Sequence, residues 1–253
     1  AVPCSLLLLT CVMCRGGRAL AQVGTQLPEL QGVVGVAVEA GDNPQRTSIA
    51  AVPASTEVAH QFMFRHDYSG EGRARAETFG GARPMAVAES ELEVSVTRIA
   101  AGFAEANAGA NLVYHMRINQ RRTPPITFQP RLRILAKTRG EATADSNGER
   151  GYASAQAFVQ FGFAGITFRA VAISPLGTAT DSFDEQFIID YLRPGEILPI
   201  RLNVFTESGA NVLLPGNHAG AATAVVDPEF TFDEIAFAEY ALQEGFQPFR
   251  QAD

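Results

Sequence analysis

Few residues in this chain are equipped for chemistry, and their spacing limits what they can do. The four histidines, His60, His66, His115 and His218, show neither an H-x-x-x-H spacing nor a Glu-bearing zinc motif. His60 falls among inward phenylalanines of an alternating run, and His115 falls on the outward side of another with Arg117. Structural or surface roles are expected for all four. Asp145-Ser146-Asn147-Gly148-Glu149 sets three oxygen ligands, Asp145, Asn147 and Glu149, at alternate positions around a glycine. Calcium takes about six to eight oxygens, and the rest of a calcium loop is missing. A hairpin turn with Asn147-Gly148 at positive φ is therefore the first expectation and a calcium site the second. No other cofactor is indicated.

Six further residues, Gln61, Arg65, His115, Arg117, Arg131 and Arg133, lie on the outward sides of alternating runs and are candidate binding residues. Polysaccharide lyases of jelly-roll architecture use Tyr and His for proton transfer and Arg or Gln to neutralise a uronate. The six do not form ordered strand motifs, and spacing identifies no acid–base pair, so a solvated face is expected before a catalytic one. There is no G-x-S-x-G, no glycine-rich phosphate loop and no Asn-x-Ser/Thr sequon.

Charge and cysteine usage narrow the classes further. The formal net charge is −7, which opposes nucleic acid and anionic membranes as partners, since both are bound through clustered Lys and Arg. Leu6 to Met13 is a short apolar run, followed by the small-x-small pattern Ala19-Leu20-Ala21. Residues 1–21 read as a signal peptide whose removal would leave Gln22 first. The run is far shorter than the roughly 20 residues of a spanning helix, so no transmembrane anchor is expected. Cys4, Cys11 and Cys14 all lie in that segment, and the mature chain would contain no disulfide, thiolate metal site or thiol nucleophile. Trp is absent, which removes the largest flat face for stacking on a sugar ring.

The elements that must position these residues alternate with period two. Val58, His60, Phe62 and Phe64 form one stripe. Leu92, Val94 and Val96 form a second against Glu91, Glu93, Ser95 and Thr97. Leu112, Tyr114, Met116 and Ile118 form a third, Leu132, Ile134 and Ala136 a fourth, and Ala153 to Phe163 a long alanine-rich fifth. Further strands are expected at Ile166–Ile173, Phe183–Tyr191, Leu198–Thr206 and Ala219–Val226. Turn chemistry separates them at residues 41–44, 69–72, 145–148, 194–195 and 215–217. Asp233 to Leu242 and, less clearly, Ile99 to Ala108 read as short helices. Arg121-Arg122-Thr123-Pro124-Pro125 reads as a loop, because two adjacent prolines do not fit a central strand. The expected fold is all-β: an antiparallel, jelly-roll-like β-sandwich with at most one or two short helices. Residues 22–45 would form a leader or first strand, and residues 46–253 one sandwich domain.

The run Ala224-Val225-Val226-Asp227-Pro228-Glu229-Phe230-Thr231-Phe232-Asp233 resembles the last strand of exported bacterial β-sandwich proteins of the PEP-CTERM-associated type. In that group an alanine-rich strand ends in an Asp-Pro turn followed by alternating Phe and Asp. Ala86 to Val94 and Gly151 to Phe163 extend the resemblance over residues 70–237. It implies a surface or extracellular-matrix protein without catalytic activity. The Pro-Glu-Pro segment, apolar helix and basic end of that group's sorting tail do not appear before Asp253, so sorting by that route is not expected. The expected function is a non-catalytic structural, matrix or adhesion role, secreted, periplasmic or at the cell surface, with self-association or an extracellular glycan as partner. The alternative is a carbohydrate-active jelly-roll module that binds or cleaves glycans.

Overall fold

Period-two patterning becomes twelve strands among the residues that the computed structural model describes. Those residues are 28–40, 44–64, 67–80, 84–98, 102–117, 132–148, 150–162, 166–192, 197–211, 213 and 215–232. The strands are β1 (Gln31–Ala40), β2 (Gln45–Ile49), β3 (Ala54–Phe64), β4 (Tyr68–Phe79), β5 (Met85–Val96) and β6 (Phe103–Arg117). They continue with β7 (Leu132–Asn147), β8 (Gly151–Phe161), β9 (Ile166–Ser174), β10 (Gly177–Leu192), β11 (Ile197–Asn211) and β12 (Gly216–Phe232). Two six-stranded antiparallel sheets face each other. The first runs β2-β1-β6-β11-β8-β9 and the second β10-β7-β12-β5-β4-β3.

The connectivity is a jelly roll. From β5 onward the strands pair as nested partners, β5 with β12, β6 with β11, β7 with β10 and β8 with β9. Successive pairs alternate between the two sheets. Such nesting closes two Greek keys over one core. Strands β4 and β3 extend one sheet, and β1 and β2 extend the other.

Three local expectations are overturned. Ile99–Ala108 does not supply a helix: from Phe103 it is the start of β6, because Ala104, Ala106, Ala108 and Ala110 are buried while Glu105 and Asn107 point outward. Alanine is the best helix former, but here its period is two. Ser69-Gly70-Glu71-Gly72 is not a turn but lies inside β4. Its glycines serve close approach: a Cβ on Gly70 would stand 2.1 Å from the Glu93 carbonyl oxygen, and one on Gly72 would stand 2.6 Å from Val38 Cγ1. Asp227-Pro228 does not reverse the chain either, since β12 continues to Phe232 with Pro228 opposite Thr138. The ladder to β5 ends at Val226, so among the described residues nothing pairs with β12 on that side at Pro228, a setting that accepts a proline. Residues 1–21, the loop Arg121–Pro125 and the helix expected at Asp233–Leu242 lie outside the described residues.

The core is a wedge. At one end Leu112, Leu202, Val159 and Phe168 occupy neighbouring register positions on the first sheet, next to Tyr114, Ile200 and Phe161. At the other end the same strands carry Ala104, Ala106, Ala210, Ser208, Ala153 and Gly151. There the sheets close onto each other's backbone. A Cβ on Gly220 of β12 would lie 2.4 Å from the Tyr152 carbonyl oxygen, and one on Gly151 of β8 would lie 2.4 Å from that of Ala219. Packed sheets ordinarily stand ~10 Å apart with side chains between them, so glycine at these positions is what permits the pinch. Two buried serine pairs span the sheets nearby, Ser90 with Ser208 at 2.9 Å and Ser146 with Ser174 at 3.1 Å. These satisfy hydroxyls that would otherwise be costly to bury.

Candidate functional site

The sequence candidates are not gathered into one place. Gln61 is exposed on the outer face of β3 in the second sheet. His115 lies on β6 of the first sheet, opposite Pro199, with its Nδ1 buried and without a hydrogen-bond partner among the described residues. Arg117 ends β6, and Arg133 lies near the start of β7 in the other sheet. Arg65, His66, Arg131 and Glu149 lie outside the described residues. Of the calcium candidates, Asp145 Oδ1 accepts from Thr178 Oγ1 at 2.8 Å, and Asn147 Oδ1 accepts from the Gly148 backbone N–H at 2.8 Å. Gly148 has φ +82°, so the turn geometry expected at Asn147-Gly148 is present. Among the described residues no three His, Cys, Asp or Glu side chains converge as a metal set.

The geometry instead builds a groove on the outer face of the second sheet. Antiparallel register aligns Gln61 of β3, Glu71 of β4, Glu93 of β5, Ala219 of β12 and Asn147 of β7 in one row across five strands. The next row holds Met63, Ser69, Ser95 and Asn217. Between them lies a groove of about 760 Å³, which continues past Gln61, Glu71 and Glu93 into a compartment of about 550 Å³ bounded by Arg73 and Glu91. Its far end lies at Ala219 and Asn147, beside the pinch of the sheets.

Two carboxylates dominate the groove's electrostatics. Glu71 and Glu93 are directly opposite in register, an arrangement that costs stability on a sheet surface. Gln61 Nε2 donates to Glu71 Oε2 at 3.4 Å. The groove therefore offers carboxylate acceptors, amides and hydroxyls that donate and accept, and a Met63 side chain that is 68% exposed at its rim. It can hydrogen-bond a polyhydroxylated ligand and repels an anionic one. Of the groove residues the sequence singles out Gln61 as a binding candidate and Asn147 only as a calcium candidate, because Glu71, Glu93, Asn147 and Asn217 meet only through strand order. The outward alternation of Glu91, Glu93 and Ser95 was legible, but not what stood beside it.

No protein-family model matches the chain, and no curated protein matches it. Among solved structures it is similar to the enzymatically active domain of tailspike protein 4 of bacteriophage CBA120, at 9% identity over 70% of this chain and TM-score 0.16. It spans only 19% of that tailspike chain. It is also similar to a carbohydrate-binding module of the β-sandwich superfamily, at 9% identity over 79% of this chain and 85% of that one, TM-score 0.15. A third is the VP2 subviral particle of infectious bursal disease virus, at 9% identity over 80% of this chain and 65% of that one, TM-score 0.14. TM-scores this low assign neither ligand nor activity.

Proposed function

We propose that this protein is a non-catalytic jelly-roll module of an exported surface, matrix or adhesion assembly, and that it holds a neutral, polyhydroxylated chain in the groove of its second sheet. The observation that carries the reading is the row Gln61, Glu71, Glu93, Ala219, Asn147 across five strands, polar at every position but Ala219. Strands repeat every ~4.8 Å, close to the length of one sugar ring, so successive residues of a glycan can meet the polar side chains of β3, β4 and β5, with Asn147 of β7 one strand further on. Glu71 and Glu93 are both exposed, whereas a catalytic general acid needs a desolvated carboxyl held neutral near physiological pH. That supports binding over cleavage. The same two charges disfavour uronate polymers, the substrates of a lyase. The apolar run and cleavage pattern in residues 1–21 support export.

The test is retention on immobilised neutral polysaccharides compared with uronate polymers at one ionic strength, with mass spectrometry of the exported chain. Neutral retention that is lost in Glu71→Arg/Glu93→Arg, on a chain beginning at Gln22, is the expected result. Release of unsaturated uronate products, or preference for the anionic polymer, would overturn it.

A further inference from the structure

On the outer face of the first sheet, strands far apart in sequence bring together two aromatic rings and two carboxylates. Register places Glu105 of β6, Gly209 of β11 and Tyr152 of β8 in one row, with Asn107 and Glu207 in the next. Gly209 leaves its position empty, and the Tyr152 ring fills it: a Cβ there would stand 2.2 Å from Tyr152 Cε1. Phe103, 44% exposed, stacks on that ring with centroids 5.6 Å apart and planes inclined by 22°. The tyrosine hydroxyl donates to Glu207, and the Asn107 amide donates to Glu105. The tyrosine proton and one of the two Asn107 amide protons are thus committed within the cluster. What remains outward is aromatic faces and carboxylate lone pairs.

We infer that Phe103, Tyr152, Glu105 and Glu207 form a second binding site, for the ammonium or guanidinium group of a basic side chain on a partner protein. Three observations support a cation. Among the described residues, neither Glu105 nor Glu207 is paired with a Lys or Arg; Glu39, across β1, is paired with Arg46. The one polar atom of the cluster that is buried and without a hydrogen-bond partner among the described residues is an acceptor, Asn107 Oδ1, so the site is short of donors. Burial raises the Glu105 carboxyl pKa against the opposing Asn107 hydrogen bond, and the Glu207 and Glu39 charges raise it further. A metal ion fits less well, because among the described residues no three carboxylates converge as a metal set. An organic cation needs no such convergence. It lies over an aromatic face, where the quadrupole attracts it, and donates sideways to carboxylates. Arg150, two residues before Tyr152, is exposed and makes no ion pair with either acid.

The experiment titrates the full chain with Nα-acetyl-arginine amide and Nα-acetyl-lysine amide, using Nα-acetyl-glutamine amide as the neutral control. Binding is followed by calorimetry and by tyrosine fluorescence, which no Trp obscures. Saturable binding of the two cations and none of the control is expected. Phe103→Leu and Glu207→Gln should each weaken binding roughly tenfold, while Phe205→Ala, elsewhere on the same face, leaves it unchanged. Unaltered thermal midpoints establish that the variants are folded. Equal binding of the neutral amide, or undiminished affinity in both site variants, would overturn the inference. Because Glu71→Arg/Glu93→Arg lies on the other sheet, it should abolish glycan retention and spare cation binding, so this site and the groove can fail separately.

Discussion

The two outer faces of this sandwich are built from different side chains. On the second sheet the charges are mostly answered locally: Arg73 with Glu57 at 3.6 Å, Arg75 with Glu77 at 2.7 Å, Lys137 with Asp184 at 3.8 Å and Arg139 with Glu141 at 3.5 Å. Glu71 and Glu93 are left facing each other. On the first sheet Val33, Phe103, Phe205 and Ile173 are exposed on the outer side, interleaved with Asn107, Asn111, Asn203 and Gln156. A face covered in ion pairs gains solubility and little else. The informative places are therefore the departures from each face's pattern, the opposed glutamates on one and the ring pair with acids on the other. The ring pair includes Tyr152, whose backbone stands at the pinch, and the groove that holds the glutamates reaches the pinch at Ala219. Two ligands held back to back would suit a module that links a glycan to a protein.

The largest test of that shared position is the pinch itself. Gly220→Ala puts a methyl 2.4 Å from the Tyr152 carbonyl oxygen and 3.3 Å from the Gly209 backbone nitrogen. Both neighbours are backbone and cannot swing away, so the sheets must part, at a cost of about 2–3 kcal/mol. A fall in thermal midpoint with simultaneous weakening of glycan and cation binding is expected. Gly177→Ala is the control, because among the described residues nothing stands within 4 Å of the added carbon although φ there is +85°. It should lower stability without touching either ligand. Loss of one ligand alone in Gly220→Ala would separate the two faces.

Charge reversal in the groove comes next. Glu71→Arg/Glu93→Arg places two cations where two anions stood, and the expected outcome is exchange of preference, with neutral glycan lost and uronate polymer gained. The gain should fade with added salt, since exposed charges are screened within ~10 Å at 0.1 M. Retention profiles at two salt concentrations measure it.

Glu105→Gln separates function from stability on the other face. The folded-state pKa of Glu105 is raised, chiefly by burial, so the native protein binds more protons than the unfolded chain between the two pKa values. Stability therefore falls as pH rises from the ordinary carboxylate value of about 4.3 through the raised one, and the penalty persists above it. The neutral amide escapes that penalty. Glu105→Gln should melt higher than the parent at neutral pH, match it more closely below about pH 4, and bind the cation more weakly. The groups facing Glu105 are Glu39, Asn107, Glu207 and Tyr152, with Arg46 behind Glu39. Parallel melts across pH decide the outcome.

Most of the fold was legible because alternation survives without tertiary context: Leu92, Val94 and Val96 are buried where the stripe put them, with Glu91, Glu93 and Ser95 outside. It failed where side chains are small. Ala104 to Ala110 suits a helix by propensity, and only Glu105 and Asn107 on the outward positions betray the strand. Gly70 and Gly72 looked like punctuation because their purpose, room for Phe62 and Val38, lies in other strands. The sites were less legible still. Phe103, Tyr152 and Glu207 come from β6, β8 and β11, adjacent only because the jelly roll inserts β11 between the other two. No local spacing encodes that meeting.

The smallest predicted effect bounds the comparison from below. Arg73 faces Glu57 at 3.6 Å with side chains 64% and 53% exposed, so the pair is solvated and its Coulomb gain is nearly offset by the ordering of two long side chains. Arg73→Ala should change stability by no more than about 0.5 kcal/mol. It also removes the cation bordering the groove's second compartment, leaving Glu71, Glu91 and Glu93 with less positive charge beside them. If the groove takes a neutral chain, glycan retention should stay within about twofold, because no ligand charge is there to notice. If retention instead falls steeply with an unchanged melt, Arg73 contacts the ligand directly. The ligand would then carry negative charge at that end, and the contrast between a cation-seeking face and a neutral-seeking one would have to be redrawn.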